Sequence, residues 1–282
     1  MPELPEVETI RRGLKDFITK KKITKIDILC EKSFIGNPLT GTVNGIRRFG
    51  KALVIDLDND NSLMIHLRMT GQLIYDGKER YAAGHPSDNF TDKLPNKQTR
   101  VIIKFEDGIL YFNDQRKFGF IKVVKTSEVE NDPFIKKLAK EPWQMNIDEF
   151  YGKLQKHKSS PVKATILDQT IICGLGNIYA DEALFQAKIH PETKSGKLSK
   201  SQAGLLLKSA AEVMDRSIAS GGSTMATYVK ADGTRGDYLE KFAQVFRRDG
   251  KPCPRCGAKI KKIRVAGRGT HICPNCQRRE DD

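Results

Sequence analysis

The chain carries two cysteine pairs near its C-terminus, Cys253-Pro-Arg-Cys256 and Cys273-Pro-Asn-Cys276, and they predict how its last segment folds. Each pair can form a tight turn that directs two sulfur atoms to one point, so two pairs complete a tetrahedral site with four sulfur ligands. The alternatives are two disulfides, a redox-active pair, or iron in the same cage. Cytosolic chains rarely keep disulfides, and a redox pair needs no second pair. One structural zinc ion bound by these four cysteines is therefore predicted.

The residues around the two cysteine pairs predict a hairpin and a strongly basic surface. Ile263 and Val265 alternate ahead of Gly267-Arg-Gly269, a pattern typical of a β-hairpin. Residues 246–282 include eleven Lys or Arg against four Asp or Glu, and the whole chain has 49 against 35, a formal net charge of +14. Such an excess favours a polyanionic partner. Because no basic amphipathic helix is evident, nucleic acid is preferred to a membrane.

The length and the first residues limit the class of protein. A chain of 282 residues can form two domains with separate cores. No apolar stretch approaches the ~20 residues needed to span a bilayer, and the N-terminus lacks the basic and apolar regions of a secretory signal. We therefore expect a cytoplasmic protein. Cys30 and Cys173 lie outside the metal pattern and are expected to be ordinary reduced cysteines.

Hydrophobic periodicity predicts a β-rich first half and a helical second half. Pro5, with acidic residues around it, predicts the start of a helix. Short alternating runs then predict a β-sandwich or barrel, interrupted by a long surface loop over residues 75–98. In the second half, Ser199-Lys-Ser-Gln202 is a capping box that predicts the start of a long helix. The predicted strands are 23–29, 52–57, 63–67, 101–105 and 118–124, and the shorter predicted helices are 146–155, 162–168 and 178–187.

Four separated segments carry a family signature: Pro2-Glu-Leu-Pro-Glu-Val-Glu8, Asp114-x-Arg-Lys-Phe-Gly119, Asp168-Gln169 with Gly174-Leu-Gly-Asn-Ile-Tyr179, and Gly267-Arg-Gly-Thr-His271. Together they closely resemble the bacterial formamidopyrimidine-DNA glycosylases. The resemblance implies a two-domain α+β protein with an N-terminal β-sandwich and flanking helices. Its C-terminal helical domain is expected to contain a helix–two-turn–helix motif and to carry the zinc-finger β-hairpin. The expected division is a catalytic domain 1–127, a linker 128–145, a helical DNA-binding domain 146–245 and a zinc finger 246–282.

The resemblance implies that Pro2 is the catalytic nucleophile. Removal of Met1 leaves a proline α-amine with a pKa near ~8, so an appreciable fraction is unprotonated at neutral pH. A secondary amine that attacks a sugar C1′ gives an iminium ion, which accepts electrons while C–O bonds break. By the same resemblance, Glu3 protonates the opening sugar, Lys51 lies on a strand near the lesion and its phosphate, and Arg268 reaches a DNA phosphate. The nearby carboxylates are Glu6, expected to support the site, and Glu8, expected to interact with the helix dipole.

The resemblance also implies which residues contact DNA. Removing a damaged base requires turning its nucleotide out of the duplex, which leaves a hole. Met69, Arg116 and Phe118 are implied to fill it, because a thioether and an aromatic ring can wedge between bases and an arginine can bind the orphaned base. A glycine-rich turn before Asn177 can present N–H groups to a phosphate, and Asn177 and Lys163 are expected to add a donor and a charge. The implied lesion loop includes Ser223, Thr224 and Tyr228, and the departures from the family pattern are Ala52, residues 96–99 and Ala226-Thr227.

Three functions are compatible with the sequence. The first is a glycosylase and abasic-site lyase that removes oxidised purines, such as 8-oxoguanine and formamidopyrimidines, through a Pro2 Schiff base and β,δ-elimination. The second is an endonuclease VIII-like glycosylase for oxidised pyrimidines, and the third is a non-catalytic zinc-dependent DNA binder. The expected partner is double-stranded DNA containing oxidised bases or abasic sites. We expect a monomer that is associated with the bacterial nucleoid and has no membrane partner.

Overall fold

The computed structural model describes residues 2–84, 93–222 and 238–279, and these form two compact units. The first unit extends to Lys136, and the second comprises Lys137–Ala219 together with the residues from Tyr238 onward. Within the described ranges, no helix combines the length and the apolar character needed to cross a membrane.

Helix α1, Leu4–Ile18, opens the first unit, as the sequence predicts. Pro5 occupies its first turn, where a missing N–H costs nothing because the donors there have no partner within the helix. Glu3 and Glu6 form a capping box, in which the Glu3 N–H donates to Glu6 Oε2 at 2.8 Å. One face of the helix is buried in the core of the unit, through Val7, Ile10, Leu14 and Ile18.

The described part of the first unit also contains ten strands and one short α-helix. The strands are hydrogen-bonded in the order β2-β10-β5-β4-β3-β1-β8-β9-β6-β7. The only parallel pair among them is β2 with β10, and β1 shares just two register pairs with β3 before β3 continues along β4. Their bounds are β1 Lys22–Ile28, β2 Phe34–Ile35, β3 Gly41–Phe49, β4 Ala52–Leu57, β5 Asn61–His66, β6 Gly71–Gly77, β7 Arg80–Gly84, β8 Thr99–Phe105, β9 Gly108–Asp114 and β10 Phe120–Lys125, followed by α2 Pro133–Lys136.

The two halves of this strand order share one apolar core, which makes the unit a β-sandwich as predicted. Ile55 of β4 and Phe112 of β9 belong to the same buried cluster, together with the apolar face of α1. Four strand spacings separate β4 from β9 in the hydrogen-bonded order, which is about 19 Å at ~4.8 Å per strand. A flat sheet would keep these side chains apart, so the sheet folds over at the short β1–β3 junction.

The region 75–98 differs from the long surface loop that the sequence predicts. Strand β6 extends to Gly77, and Arg80–Gly84 forms β7 against it. Tyr81 anchors β7, because it is buried and its ring lies 5.3 Å from that of Phe17 on α1. The alanines after Tyr81 are too small and the strand too short for a clear alternating pattern. Residues 85–92 lie outside the described part of the chain.

The second unit is helical and carries a hairpin, as predicted. Asn146 caps α3 by accepting a hydrogen bond from the Glu149 N–H at 2.8 Å. Ser199 and Gln202 form the predicted capping box of α6, with bonds of 2.8 and 3.1 Å. Helices α5 and α6 pack against each other. The elements are α3 Ile147–Lys156, α4 Val162–Ile166, α5 Asn177–Gln186, α6 Lys200–Ala219, α7 Tyr238–Lys241, β11 Lys261–Val265 and β12 Arg268–Ile272.

Candidate active site and metal centre

The N-terminal end of α1 presents Pro2 and Glu3 on a rigid support. Pro2 is buried, and Glu3 and Glu6 are only 2% and 4% exposed. The bond from the Glu3 N–H to Glu6 Oε2 fixes the peptide that joins Pro2 to Glu3. The structure therefore places on one support the two residues that the sequence nominates for nucleophilic and proton-transfer chemistry, and Glu6 holds the backbone between them.

Lys51 occupies the tight turn between β3 and β4, not a strand position as predicted. Phe49 and Ala52 form the closing pair, and Gly50 adopts a left-handed φ of 54°, which a two-residue turn with glycine first requires. A lysine in such a turn is ordinarily solvated, but Lys51 is only 8% exposed. Its charge also acts on His66, whose pKa is lowered to about 3 by burial and by the neighbouring charges of Arg68 and Lys51. The Lys51 side chain is therefore buried, and it lies close enough to His66 for its charge to act on that ring.

Met69, Arg116 and Phe118 come together at the surface of the first unit. Arg116 Nη1 lies 3.0 Å from Met69 Sδ, and the guanidinium carbon of Arg116 is 4.8 Å from the centre of the Phe118 ring. Met69 is 41% and Phe118 54% exposed, although both are large apolar side chains. Phe120, which alternates with Phe118, packs instead against the Phe134 ring. An exposed group of a thioether, a guanidinium and an aromatic ring is suited to stacking between bases.

Asp114 organises the loop that presents these three side chains, a role that the sequence pattern did not reveal. Its carboxylate is fully buried and accepts hydrogen bonds from the Thr70 hydroxyl, the Arg116 N–H and the Gly119 N–H. Position 119 must be glycine, because a Cβ there would lie 2.8 Å from Phe112 and 3.0 Å from the His66 carbonyl. Asp114 is the first residue of the Asp114–Gly119 motif, which could have drawn attention to it. Its partner Thr70 is distant in sequence, so the hydrogen bond between them could not be predicted.

The four C-terminal cysteines form the predicted metal centre. All four Sγ atoms lie within 4.8 Å of one another, with 3.9 Å between Cys253 and Cys276 and 3.5 Å between Cys256 and Cys273. Four sulfurs at ~2.3 Å from a central zinc would be about 3.8 Å apart, so the donor set fits a tetrahedral site. These residues bind one structural zinc ion. Behind the site lies a small apolar core that includes Phe185, Val245 and Ile260.

The zinc-bound hairpin presents Arg268 to solvent. Ala266 and Gly267 form the turn between β11 and β12, and both have a positive φ, 45° and 78°, as the favoured two-residue hairpin turn requires. Arg268 is exposed and pairs with Val265 as the first residue of β12. It therefore lies one residue beyond the tip where the sequence places it. On a strand, its backbone is held more rigidly than in a turn.

Lys163 does not provide the accessible charge that the sequence predicts for it. The side chain is 0% exposed and forms an ion pair with Asp181, at 2.6 Å between Lys163 Nζ and Asp181 Oδ1. The same ammonium donates to Thr270 Oγ1 at 2.7 Å and to the Gly269 carbonyl at 3.2 Å. The other Asp181 oxygen accepts the His271 N–H at 2.9 Å. Because its donors are directed to these internal acceptors, Lys163 fixes β12 to α4 and α5, and direct contact with DNA is the wrong assignment.

Asn177, the first residue of α5, also binds the hairpin. Its Nδ2 donates to the Gly269 carbonyl at 3.0 Å, the same carbonyl that Lys163 approaches. Lys163, Asn177 and Asp181 thus hold the backbone directly after Arg268. The sequence nominated Asn177 for its place after a glycine-rich turn, whereas Asp181 was missed because only the fold brings it beside Lys163.

Replacing Lys163 by methionine is expected to destabilise the second unit by about 3–5 kcal/mol, because Asp181 would remain buried without its counter-ion. Trp143 is the only tryptophan of the chain and lies in this unit, so its fluorescence during urea unfolding reports the change. Lys200→Met is the matched control. Its pair with Asp148 is 53% and 75% exposed, and such surface pairs contribute at most about 1 kcal/mol. Equal effects of the two substitutions would contradict the structural role of Lys163.

The predicted lesion-loop residues Ser223, Thr224 and Tyr228, and the departure Ala226-Thr227, lie outside the described residues.

Comparison with known proteins gives concordant results over the whole chain. Family models match the formamidopyrimidine-DNA glycosylase N-terminal domain over residues 1–121, its H2TH domain over 138–229, and a zinc finger found in FPG and IleRS over 250–279. Formamidopyrimidine-DNA glycosylases of Lactococcus lactis subsp. cremoris and Desulfitobacterium hafniense are 40% and 37% identical, covering 99% and 98% of this chain and all of theirs. A crystal structure of a Lactococcus lactis FPG variant with a Fapy-dG containing DNA superposes with a TM-score of 0.86 at 37% identity, covering 99% of this chain and 100% of that one. Another, of the Lactococcus lactis enzyme with DNA containing an abasic site, has the same TM-score and identity.

Proposed function

The chain belongs to the formamidopyrimidine-DNA glycosylase family, and from that premise we propose that it is a base-excision repair enzyme that removes oxidised purines and then cleaves the abasic site. The observation that carries the proposal is the buried Pro2-Glu3 pair at the capped start of α1. A non-catalytic DNA binder would have no need for an α-amine and a carboxylate on a rigid support.

The chemistry begins at the nitrogen of Pro2, which becomes the N-terminus once Met1 is removed. This amine attacks C1′ of the damaged nucleotide, the N–C1′ bond forms, and the bond from C1′ to the base breaks. Glu3 protonates the ring oxygen as the C1′–O4′ bond opens, and loss of the amine proton leaves an iminium ion. Removal of a C2′ proton then sends electrons toward the iminium and expels the 3′ phosphate. A second elimination expels the 5′ phosphate, so the strand is cut on both sides.

The other residues bind the DNA that this chemistry requires. Met69, Arg116 and Phe118 enter the duplex where the damaged nucleotide leaves it, since they form one exposed group. Arg268, held on the zinc-bound hairpin, binds a phosphate, and the N-terminal end of α5 at Asn177 offers backbone donors to another. Lys51 acts near the lesion and its phosphate. The loop with Ser223, Thr224 and Tyr228 is proposed to cover the everted base.

We also propose that the protein is a monomer and that it associates with the nucleoid. The proposed division of the chain is 1–127, 128–145, 146–245 and 246–282. A DNA substrate supports the location. The basic segment that carries the four zinc-binding cysteines follows α7 and supports the last of these boundaries.

Excision from a panel of otherwise identical duplexes tests the lesion class. Duplexes with 8-oxoguanine or a formamidopyrimidine are expected to be cleaved at least about tenfold faster than one with thymine glycol, because a site that makes hydrogen bonds to one base class leaves polar groups unpaired with the other. Single-turnover rates should be measured with enzyme in excess. Faster cleavage at thymine glycol would instead support the endonuclease VIII-like function, and absence of cleavage from every duplex would support a non-catalytic DNA binder.

A further inference from the structure

We propose that Glu8 and Arg48 are positioning residues that hold Lys51 in place for the reaction. This inference rests on the function proposed above. It differs from the sequence expectation for Glu8, which was an interaction with the helix dipole only. The pair connects α1, which carries Pro2 and Glu3, to the turn that contains Lys51.

Glu8 is a binding point for three guanidinium groups. Burial raises the pKa of Glu8, but hydrogen bonds from the three arginines outweigh it and lower the pKa to about 2. The carboxylate is therefore ionised throughout the neutral range, and its side chain is only 10% exposed. Its oxygens accept from Arg11 Nη2 at 2.8 Å, Arg12 Nε at 2.8 Å, Arg11 Nε at 2.9 Å and Arg48 Nε at 3.1 Å.

Arg48 carries this interaction from α1 to β3. Arg11 and Arg12 lie on the same helix as Glu8, three and four residues away, so their bonds stabilise α1 locally. Arg48 is distant in sequence and 13% exposed. Its pair with Glu8 is therefore largely removed from water, where loss of one partner leaves an uncompensated charge.

The second bond of Arg48 acts directly on the backbone of Lys51. Arg48 Nη1 donates to the Gly50 carbonyl at 3.0 Å, and that oxygen belongs to the peptide group that joins Gly50 to Lys51. Gly50 has no Cβ and adopts a left-handed φ of 54°, so this peptide would otherwise rotate more readily than one between ordinary residues. Arg48 fixes the plane of this peptide, and Glu8 fixes Arg48. The direction in which the buried Lys51 side chain leaves the turn is thereby set.

Three substitutions separate this role from a general contribution to stability. Glu8→Gln removes the charge that holds Arg48, and Arg48→Lys keeps a positive charge but cannot bind the carboxylate and the carbonyl at once. Arg12→Gln is the control, because Arg12 binds the same carboxylate but is 60% exposed and does not reach the turn. Each substitution is made in the native chain and in a Lys51→Ala chain. The single-turnover excision rate on an 8-oxoguanine duplex is then measured for every variant.

In the native chain, Glu8→Gln and Arg48→Lys are expected to lower the rate about tenfold through misplacement of Lys51, while Arg12→Gln stays within about twofold. In the Lys51→Ala chain, neither Glu8→Gln nor Arg48→Lys should lower the rate further by more than about twofold. A pair that only stabilised the fold would reduce the rate equally in both chains, and that result would overturn the proposal.

A second measurement does not depend on activity. Acetic anhydride labels lysines according to their accessibility, and peptide mass spectrometry reports the extent at Lys51, which is 8% exposed in the native chain. Labelling of Lys51 should rise severalfold in Glu8→Gln and Arg48→Lys but not in Arg12→Gln. Unchanged labelling of Lys51 would contradict the positioning role, whether or not the native chain excises any base. A native chain that excises no base would contradict only the proposed function.

Discussion

Pro2→Gly is expected to abolish the covalent adduct that borohydride traps between the protein and an 8-oxoguanine duplex, with a loss of at least about 10³-fold in excision. The ring of Pro2 prevents rotation about its N–Cα bond, and the capping box fixes the peptide that follows, so the amine has one direction of attack. Glycine removes the ring and adds backbone freedom at the reacting atom. The glycine amine is primary, so its adduct can be a neutral imine that accepts electrons well only after it is protonated. The adduct of proline is an iminium ion, which is always cationic.

Pro5→Ala is the matched control, because Pro5 occupies the first turn of the same helix but has no free amine. The trapped adduct should persist in that variant. Mass spectrometry must first show that each sample begins at residue 2, since a retained Met1 would place the nitrogen in a peptide bond. Undiminished trapping by a correctly processed Pro2→Gly protein would refute the assignment of the nucleophile.

The sequence predicted best those parts of the site that depend on residues close together in the chain. Pro2-Glu3 and the two C-x-x-C pairs are local patterns, and their geometry follows from a helix start and from two tight turns. The strands were predicted less completely. Strand β7 was missed because Arg80–Gly84 contains glycine and alanine, and because its pairing with β6 and the packing of Tyr81 against Phe17 exist only in the folded chain.

Residues whose roles depend on distant partners could not be assigned from the sequence. A lysine such as Lys163 could bind a phosphate. Its ammonium instead binds Asp181 and Thr270, and Thr270 belongs to the hairpin more than a hundred residues later in the chain. Glu8 looked like a helix-dipole carboxylate until the fold placed Arg48 beside it. In both cases the sequence showed the charged residue but not the oppositely charged residue that pairs with it in the fold. A charged residue near a motif is therefore weak evidence for ligand contact until its burial is known.

Removing the zinc is expected to abolish DNA binding while the first unit stays folded. Zinc sites of this kind contribute about 10–16 kcal/mol of apparent binding free energy, which is as large as the ~5–15 kcal/mol that stabilises a whole domain. The apolar core behind the metal includes Cys253 and Cys273 themselves, so it cannot persist as a separate support. Without it, β12 loses its support at the Cys273 end, and the bonds from Lys163 and Asn177 to the Gly269 carbonyl are not expected to hold Arg268 in place by themselves. Among the described residues, the core of the first unit includes none from this segment.

Cys253→Ser and chelation of the native chain should therefore have the same effect on DNA binding. The Kd for a duplex that contains an abasic-site analogue should rise at least about 100-fold, which is ~2.8 kcal/mol at 1.4 kcal/mol per factor of ten. Cys30→Ser is the control, since Cys30 lies outside the metal cluster. Hydrogen exchange in peptides from β4 and β8 should remain slow in all three samples. Full affinity in a sample shown to lack zinc would mean that Arg268 does not need its rigid hairpin. The metal would then stabilise the fold without contributing to DNA binding.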